Sequence, residues 1–306
     1  MAAISGNKIK NFLKSARTRN AMTAYLFLSP WIIGFILFMG GPIIASLVLS
    51  FFKWDLLSPA KFVGLANFSE LFGKNDLFLP SMLVTFKYVI IAVPVSQVLA
   101  LGLAVLVTQK VRFQGFWRTV FYLPAVVSGV AASVIWMWLY DAQYGVIDNL
   151  LKLVGITGPN WLFTAKLALW SLMIMSLWNV GVPMVVYIAA MQGLPQEVYE
   201  AAELDGANGW DTFWHLTMPL ISPAILFNLV IGTIFGIQTF AQPYLMTNGG
   251  PVNSTLFVGL YLYEVAFHYL SMGKASAIAW VLFLIILVLT IAQLRLANRW
   301  VYYEGG

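Results

Sequence analysis

Uncharged hydrogen-bonding groups and aromatic rings stand inside apolar stretches that would otherwise offer only hydrocarbon. Trp178 and Asn179 lie in one such stretch, and Asn228, Thr233, Gln238, Thr239 and Gln242 recur through another. Amides pair hydroxyls, aromatic faces suit flat C–H surfaces, and neither needs a charge to neutralise. The ligand that fits is an uncharged, polyhydroxylated one. The same residue types also bond one membrane helix to another, and at any single position that structural role is the commoner. Ionisable chemistry is missing: no Asp, Glu or Arg lies inside the apolar stretches, and Lys87, Lys166, Lys274 and Arg118 fall at their ends. A proton-coupled carrier normally keeps an ionisable residue at membrane depth. A self-sufficient secondary carrier of a neutral solute is therefore the weaker alternative. His215 and His268 have no metal-ligand or catalytic spacing, and cysteine is absent. No G-x-x-x-x-G-K-[ST] occurs to cradle ATP phosphates. Neither an enzyme nor a bound metal or cofactor is expected in this chain.

A second set of groups lies in the polar loop between two apolar stretches. Glu197, Glu200, Glu203, Asp205 and Asp211 are acidic, with no Lys or Arg from Gln192 to Pro219. Like charges three or four apart on a helix repel, so a cationic partner surface would relieve them. Trp210, Phe213 and Trp214 form an aromatic stripe that should not face water unpartnered. An amphipathic loop lying on its own bundle fits the same composition equally well. The loop reads as two short helices meeting at a glycine. Pro195 opens the first at its first helical position, Glu197 and Glu200 occupy its positive first turns, and Gly206 ends it in a left-handed cap. Asn208 with Asp211 resembles a capping box for the second helix, which Pro219 closes.

Positioning these groups requires membrane-spanning helices. The 306 residues are 60% hydrophobic and 9% charged, with a mean hydropathy of +0.83. Soluble domains carry roughly a quarter charged residues, so the chain is an integral membrane protein. Its net charge of +5 reads as loop bias, and nucleic acid is not an expected partner. Spans need about 20 apolar residues. Tyr25–Phe52, Ser81–Thr108, Thr119–Tyr140, Leu167–Met191, Leu220–Met246 and Ala275–Leu294 meet that length. The first is too long for a cleaved signal core and should remain as an anchor. Thr255–Leu270 is short and contains Glu264 and His268, so it reads as an outer-surface helix with His268 exposed or interfacial. Prolines recur beside or within spans, at Pro42, Pro94, Pro124, Pro183 and Pro243. Small residues repeat at Ser96, Ala100 and Ala104 and at Gly232 and Gly236, a spacing that suits close packing within the bundle.

Glu200-Ala201-Ala202, then Gly206 after three residues, then Leu216-Thr217-Met218-Pro219 after nine more, resembles the EAA loop of membrane subunits in binding-protein-dependent ABC importers. Leu216 and Met218 depart mildly from that family's I-x-L-P ending. Ser29-Pro30, Phe62 to Phe68, Arg118, Leu123-Pro124, Trp136, Gly145 with Asn149, Trp161, Thr247 to Pro251, Ser254-Thr255 and Gly273 to Ala277 look like the sugar branch of the family. Together they cover nearly the whole chain from Tyr25.

The resemblance implies an all-α integral membrane fold of six transmembrane helices with a cytoplasmic two-helix coupling loop. It implies a basic N-terminal tail over 1–23, a permease domain over 24–294 with the coupling loop at 193–219, and a short tail over 295–306. Glu200, Ala201, Ala202, Asp205 and Gly206, with the stripe residues Trp210 and Phe213, would dock a cytoplasmic ATPase, which holds the ATP and Mg²⁺. Gln238 and Thr239 align with polar positions that hold sugar in the maltose-type permease, and Trp178, Asn179 and Gly181 with the contacting turn of the preceding span. Gln242 joins them as a substrate-path candidate. The implied partners are a second, homologous permease, two ATPases, an external solute-binding protein, the sugar and the bilayer. Placing the N-terminus inside a bacterial cytoplasmic membrane gives ten Lys and Arg inside against seven outside, with all six arginines inside, as the positive-inside bias favours. Both termini and the EAA loop are then cytoplasmic.

Overall fold

The computed structural model describes residues 16–73, 76–109 and 112–302; the basic segment before Ala16 and the last residues of the C-terminal tail lie outside them. Helix α1 (Ala16–Phe35) continues through a π turn (Ile36–Gly40) into α2 (Gly41–Leu49). Pro42 has no N–H for a regular turn, and the widened turn before it absorbs the mismatch. A hairpin of β1 (Phe52–Lys53) and β2 (Lys61–Phe62) follows, with Phe52 paired to Phe62. Next come α3 (Ala66–Leu71), the long α4 (Phe78–Thr108), α5 (Gln114–Val126), α6 (Gly129–Leu139), α7 (Val146–Leu153), α8 (Ala165–Ser176) and α9 (Gly181–Gln192). The polar loop holds α10 (Gln196–Leu204) and α11 (Gly209–Thr212), continued by a π turn (Phe213–Thr217) and α12 (Met218–Leu220). Helices α13 (Ser222–Ile237), α14 (Ala241–Met246), α15 (Val258–Tyr263) and α16 (Met272–Ala297) complete the chain.

Among the described residues four helical stretches, Asn20–Leu49, Phe78–Thr108, Ser222–Met246 and Met272–Ala297, are long and apolar enough to cross a membrane; counting two bent pairs as spans gives six. The pair α5 and α6 turns through 98°, and α8 with its 3₁₀ turn meets α9 at 41°. Val127 and Ser128 adopt extended backbone angles at the first bend. There the Ser128 hydroxyl accepts the Ala131 N–H at 3.3 Å as a new N-cap. The second bend passes through Leu177–Asn179 to Gly181, whose missing Cβ would sit 2.4 Å from the Phe121 carbonyl. That glycine lets α9 press against α5.

Helix α4 forms the spine, with α8, α9, α13 and α15 packed around it. Ala100 and Ala104 are fully buried against Met184, Tyr187 and Ile188 of α9. Cβ atoms at Gly232 and Gly236 would stand 3.0 Å from Val93 and 3.1 Å from Val89. The small-residue repeats therefore serve packing inside this bundle.

Three readings of the sequence need correction. Thr255–Leu270 is not a surface helix: Leu256, Phe257, Val258, Leu260, Tyr261, Val265 and Ala266 are buried. Its apolar side fills the bundle against α4 and α16. Thr85 Oγ1 accepts the Val258 N–H at 2.9 Å, and Phe257 meets Tyr88 edge-on at 5.0 Å. His268 is exposed, as expected. Second, Pro219 does not close the loop's second helix. The π turn over Phe213–Thr217 accommodates the proline, and helical backbone continues through α12 to a one-residue break at Ile221 before α13. Third, Lys87 lies within α4 and not at its end, on the exposed side of that helix.

Candidate functional site

The polar loop is built by local rules. Pro195 is the extended residue before α10, one position earlier than expected, and Glu197 lies in the first turn. The C-terminus closes as a Schellman motif: Gly206 N–H donates to the Glu203 carbonyl and Ala207 N–H to the Ala202 carbonyl, both at 3.0 Å. That turn holds Gly206 at φ +80°, the left-handed region. Asn208 Oδ1 then accepts the N–H groups of Trp210 at 2.9 Å and Asp211 at 3.0 Å, starting α11. A Tyr199–Thr217 hydroxyl contact of 3.0 Å ties the two short helices together.

Glu200, Ala201, Glu203, Leu204, Asp205 and Gly206 face outward on this loop, with Ala202 half-buried. Trp210 is 71% exposed, and its ring meets Trp214 edge-on at 5.7 Å; Trp214 in turn meets the half-buried Phe213 at 5.2 Å. Among the described residues no cation pairs with any of the five carboxylates. A loop folded back on its own bundle would cover this stripe, whereas Trp210 and Trp214 are left exposed.

The second cluster surrounds a cavity of about 520 Å³ between α4, α8, α13 and α14. The fifth span breaks beside it. Gln238 ends α13, Phe240 departs from helical angles at φ −136°, and α14 restarts at Ala241. Asn179, Gln238, Thr239 and Gln242 all line the cavity, with Tyr88 and Phe240 as aromatic walls and, among the described residues, no Asp, Glu, Lys, Arg or His. Among the described residues the side chains of Asn179, Gln238 and Gln242 make no hydrogen bond, while Thr239 Oγ1 donates to the Phe235 carbonyl at 3.2 Å and also meets the Tyr88 hydroxyl. Their neighbours are committed elsewhere. Thr233 Oγ1 accepts from Gln293 Nε2 at 2.9 Å, and Asn228 Nδ2 donates to the Pro183 carbonyl at 3.2 Å. The polar residues of this span thus divide into interhelical links and cavity-facing groups.

Trp178 and Gly181 lie outside the cavity lining. Trp178 packs edge-on to Trp136 at 6.1 Å, and Gly181 serves the α9–α5 approach. Conversely, sequence reasoning passed over Gln97 and Ser176. Gln97 Oε1 accepts from Tyr187 at 2.6 Å, and its Nε2 stands 3.4 Å from the Asn228 carbonyl, in the same cavity lining. An amide in the middle of the second span was the available signal.

Set beside known proteins, residues 32–302 match the family described as binding-protein-dependent transport system inner membrane component. The chain is 38% identical to the probable ABC transporter permease protein YesP of Bacillus subtilis (strain 168), over 99% of both chains. It is 33% identical to the lactose transport system permease protein LacF of Rhizobium radiobacter, covering 98% of this chain and 99% of that one. It is 30% identical to the arabinooligosaccharides transport system permease protein AraP of Bacillus subtilis (strain 168), covering 90% and 88%. Its fold matches a chain of a bacterial alginate ABC transporter solved with a pentasaccharide-bound periplasmic protein. The TM-score is 0.79 at 21% identity, over 94% of this chain and 98% of that one.

Proposed function

The chain belongs to the family of inner membrane components of binding-protein-dependent transport systems, and from that premise we propose that it forms half of the path by which a neutral saccharide is imported. Hydrolysis of ATP takes place on a separate subunit. This chain changes no bond and supplies alternating access. A homologous permease provides the other half, two ATPases dock on the loop around Glu200, Gly206 and Trp210 with ATP and Mg²⁺ in their own sites, and an external binding protein delivers solute to the opposite face. Both termini are cytoplasmic in this arrangement.

One observation carries the saccharide reading: the uncommitted amides of Asn179, Gln238 and Gln242, with the Thr239 hydroxyl beside them, converge at a helix break on one aromatic-walled cavity that has no charged lining among the described residues. Irregular backbone at membrane depth is tolerated where it lines such a cavity. Amides offer both donors and acceptors to sugar hydroxyls, and the lining has no charge to hold an ionic solute. The relatives named for lactose and arabinooligosaccharides support the same class. Gln238→Ala and Thr233→Ala test it as a pair. Gln238→Ala should lower uptake of the native sugar while leaving the purified complex's melting temperature and basal ATP hydrolysis unchanged. Thr233→Ala, which loses an interhelical bond, should lower melting instead. Lower melting in Gln238→Ala, with uptake of two sugars impaired alike, would make Gln238 a packing residue and remove the argument.

A further inference from the structure

A second hollow, of about 470 Å³, lies at the other end of α14, between the ends of α6 and α8. Gln242 of α14 faces the pathway cavity, and Met246, one turn on along the same face, lines this outer hollow. Four residues of α-helix rise about 6 Å, so a single short helix contributes side chains to both hollows. Trp161 and Tyr140 form one wall, their ring centroids 5.7 Å apart. Both are held rigidly: Trp161 Nε1 donates to Asp148 at 2.8 Å, and Tyr140 donates to the Ser171 carbonyl at 2.9 Å. The rim carries Asp141, Gln143 and Asn160, all exposed, and Phe163, 78% exposed. Asp141 Oδ1 is taken by the N–H groups of Gln143 and Tyr144 at 2.9 and 2.7 Å. Its Oδ2 and the side chains of Gln143 and Asn160 carry no hydrogen bond among the described residues. From the hollow, rings continue inward: Tyr140 to Trp136 at 5.2 Å, then Trp136 to Trp178 at 6.1 Å, and Trp178 precedes the cavity residue Asn179.

We infer that this hollow is a second saccharide subsite, joined to the pathway cavity along α14, so that the path holds a linked chain of sugars across both. The inference rests on the saccharide reading of the inner cavity. Fixed aromatic walls with a few unpaired polar groups are the usual composition of a small-molecule site. A chain long enough to occupy both hollows gains hydrogen bonds that a single sugar cannot reach.

The test uses the full chain in lipid nanodiscs, with affinities for glucose, lactose and maltotriose measured by saturation-transfer NMR. Phe163→Ala with Asn160→Ala removes two exposed rim groups and spares the bonded Trp161 and Tyr140. Maltotriose should bind the wild type more tightly than glucose. The double variant should lose roughly two- to tenfold in maltotriose affinity, as one lost hydrogen bond implies, with glucose unchanged. Gln238→Ala should weaken all three sugars. Unaltered maltotriose affinity in the double variant overturns the outer subsite while leaving the inner cavity standing. Failure of all three sugars to bind the wild type overturns the inner reading and this one with it.

Discussion

Gly206 is the point at which a small change should disconnect transport from ATP hydrolysis. Its φ is +80°, and a Cβ built there would meet nothing within 4 Å. Gly206→Val therefore strains the backbone alone, without crowding a neighbour. A β-branched residue held in the left-handed region costs on the order of 1–3 kcal/mol. At about 1.4 kcal/mol per decade, the Schellman turn would be depopulated roughly fivefold to 150-fold relative to its alternatives. The two bonds that set the angle between α10 and α11, from Gly206 to Glu203 and from Ala207 to Ala202, would be lost in that fraction. Gly206→Asn, whose side chain tolerates the left-handed region, should cost least and Gly206→Ala an intermediate amount. Gly155 supplies an internal control. It has φ +78°, also in open space, but lies between α7 and α8, away from the loop. In proteoliposomes holding the whole transporter, Gly206→Val should reach the membrane in normal amount yet lose uptake and solute-stimulated hydrolysis, while Gly155→Val retains both. Wild-type uptake by Gly206→Val, with its ATPases bound, would refute the assignment of this turn to coupling.

Trp210→Ala should leave the chain's own melting unchanged, because that ring is mostly exposed, yet reduce recovery of ATPase subunits in detergent; Glu200→Lys should do the same by reversing charge at the docking surface. The chain lacks cysteine, so single replacements report topology without background: Arg112→Cys and Asn208→Cys should react from the cytoplasm only, and Gly64→Cys, Gly155→Cys and Val252→Cys from outside only. Asp55 is held below the ordinary carboxylate range, chiefly by the Ser58 hydroxyl donating to it. Its contribution to the 55–58 turn is thus present above the unfolded carboxylate pKa and lost as pH falls through the lowered value. Ser58→Ala should move that loss to higher pH, as read by the Asp55 carboxyl signal in NMR.

What could be read from the residues depended on whether the deciding forces were local. The α10–α11 turn is legible because capping is local: Gly206 and Asn208 fall where a left-handed cap and an N-cap must be. The span count is legible because hydrocarbon thickness sets a length. Legibility fails where tertiary contacts decide. Thr255–Leu270 has the composition of an interfacial helix, and only the space between α4 and α16 reveals it as core. The polar residues of the fifth span look alike in sequence. Gln293, sixty residues away from Thr233, and Pro183, which accepts from Asn228, commit two of them to structure, and nothing near Gln238 in the chain announces that it stays free. Gln97 went unread because its partners come from two other helices.

The failure at Pro219 bears most on mechanism. Had the second loop helix ended there, a slack segment would separate the proposed docking surface from the membrane, and movement of Trp210 would dissipate in it. Instead the π turn over Phe213–Thr217 absorbs the missing proline N–H, and helical backbone runs from Gly209 to Ile237 with one break at Ile221. Ser222 stiffens that break by donating to the Pro219 carbonyl and by accepting the Tyr302 N–H at 2.9 Å. The next weakness is the break at Gln238, at the cavity itself. Helices transmit displacement along their axis and bend where the ladder of hydrogen bonds is interrupted. In the proposed cycle, a push delivered at Trp210 is therefore carried to Gln238 and released as a change in the cavity lining.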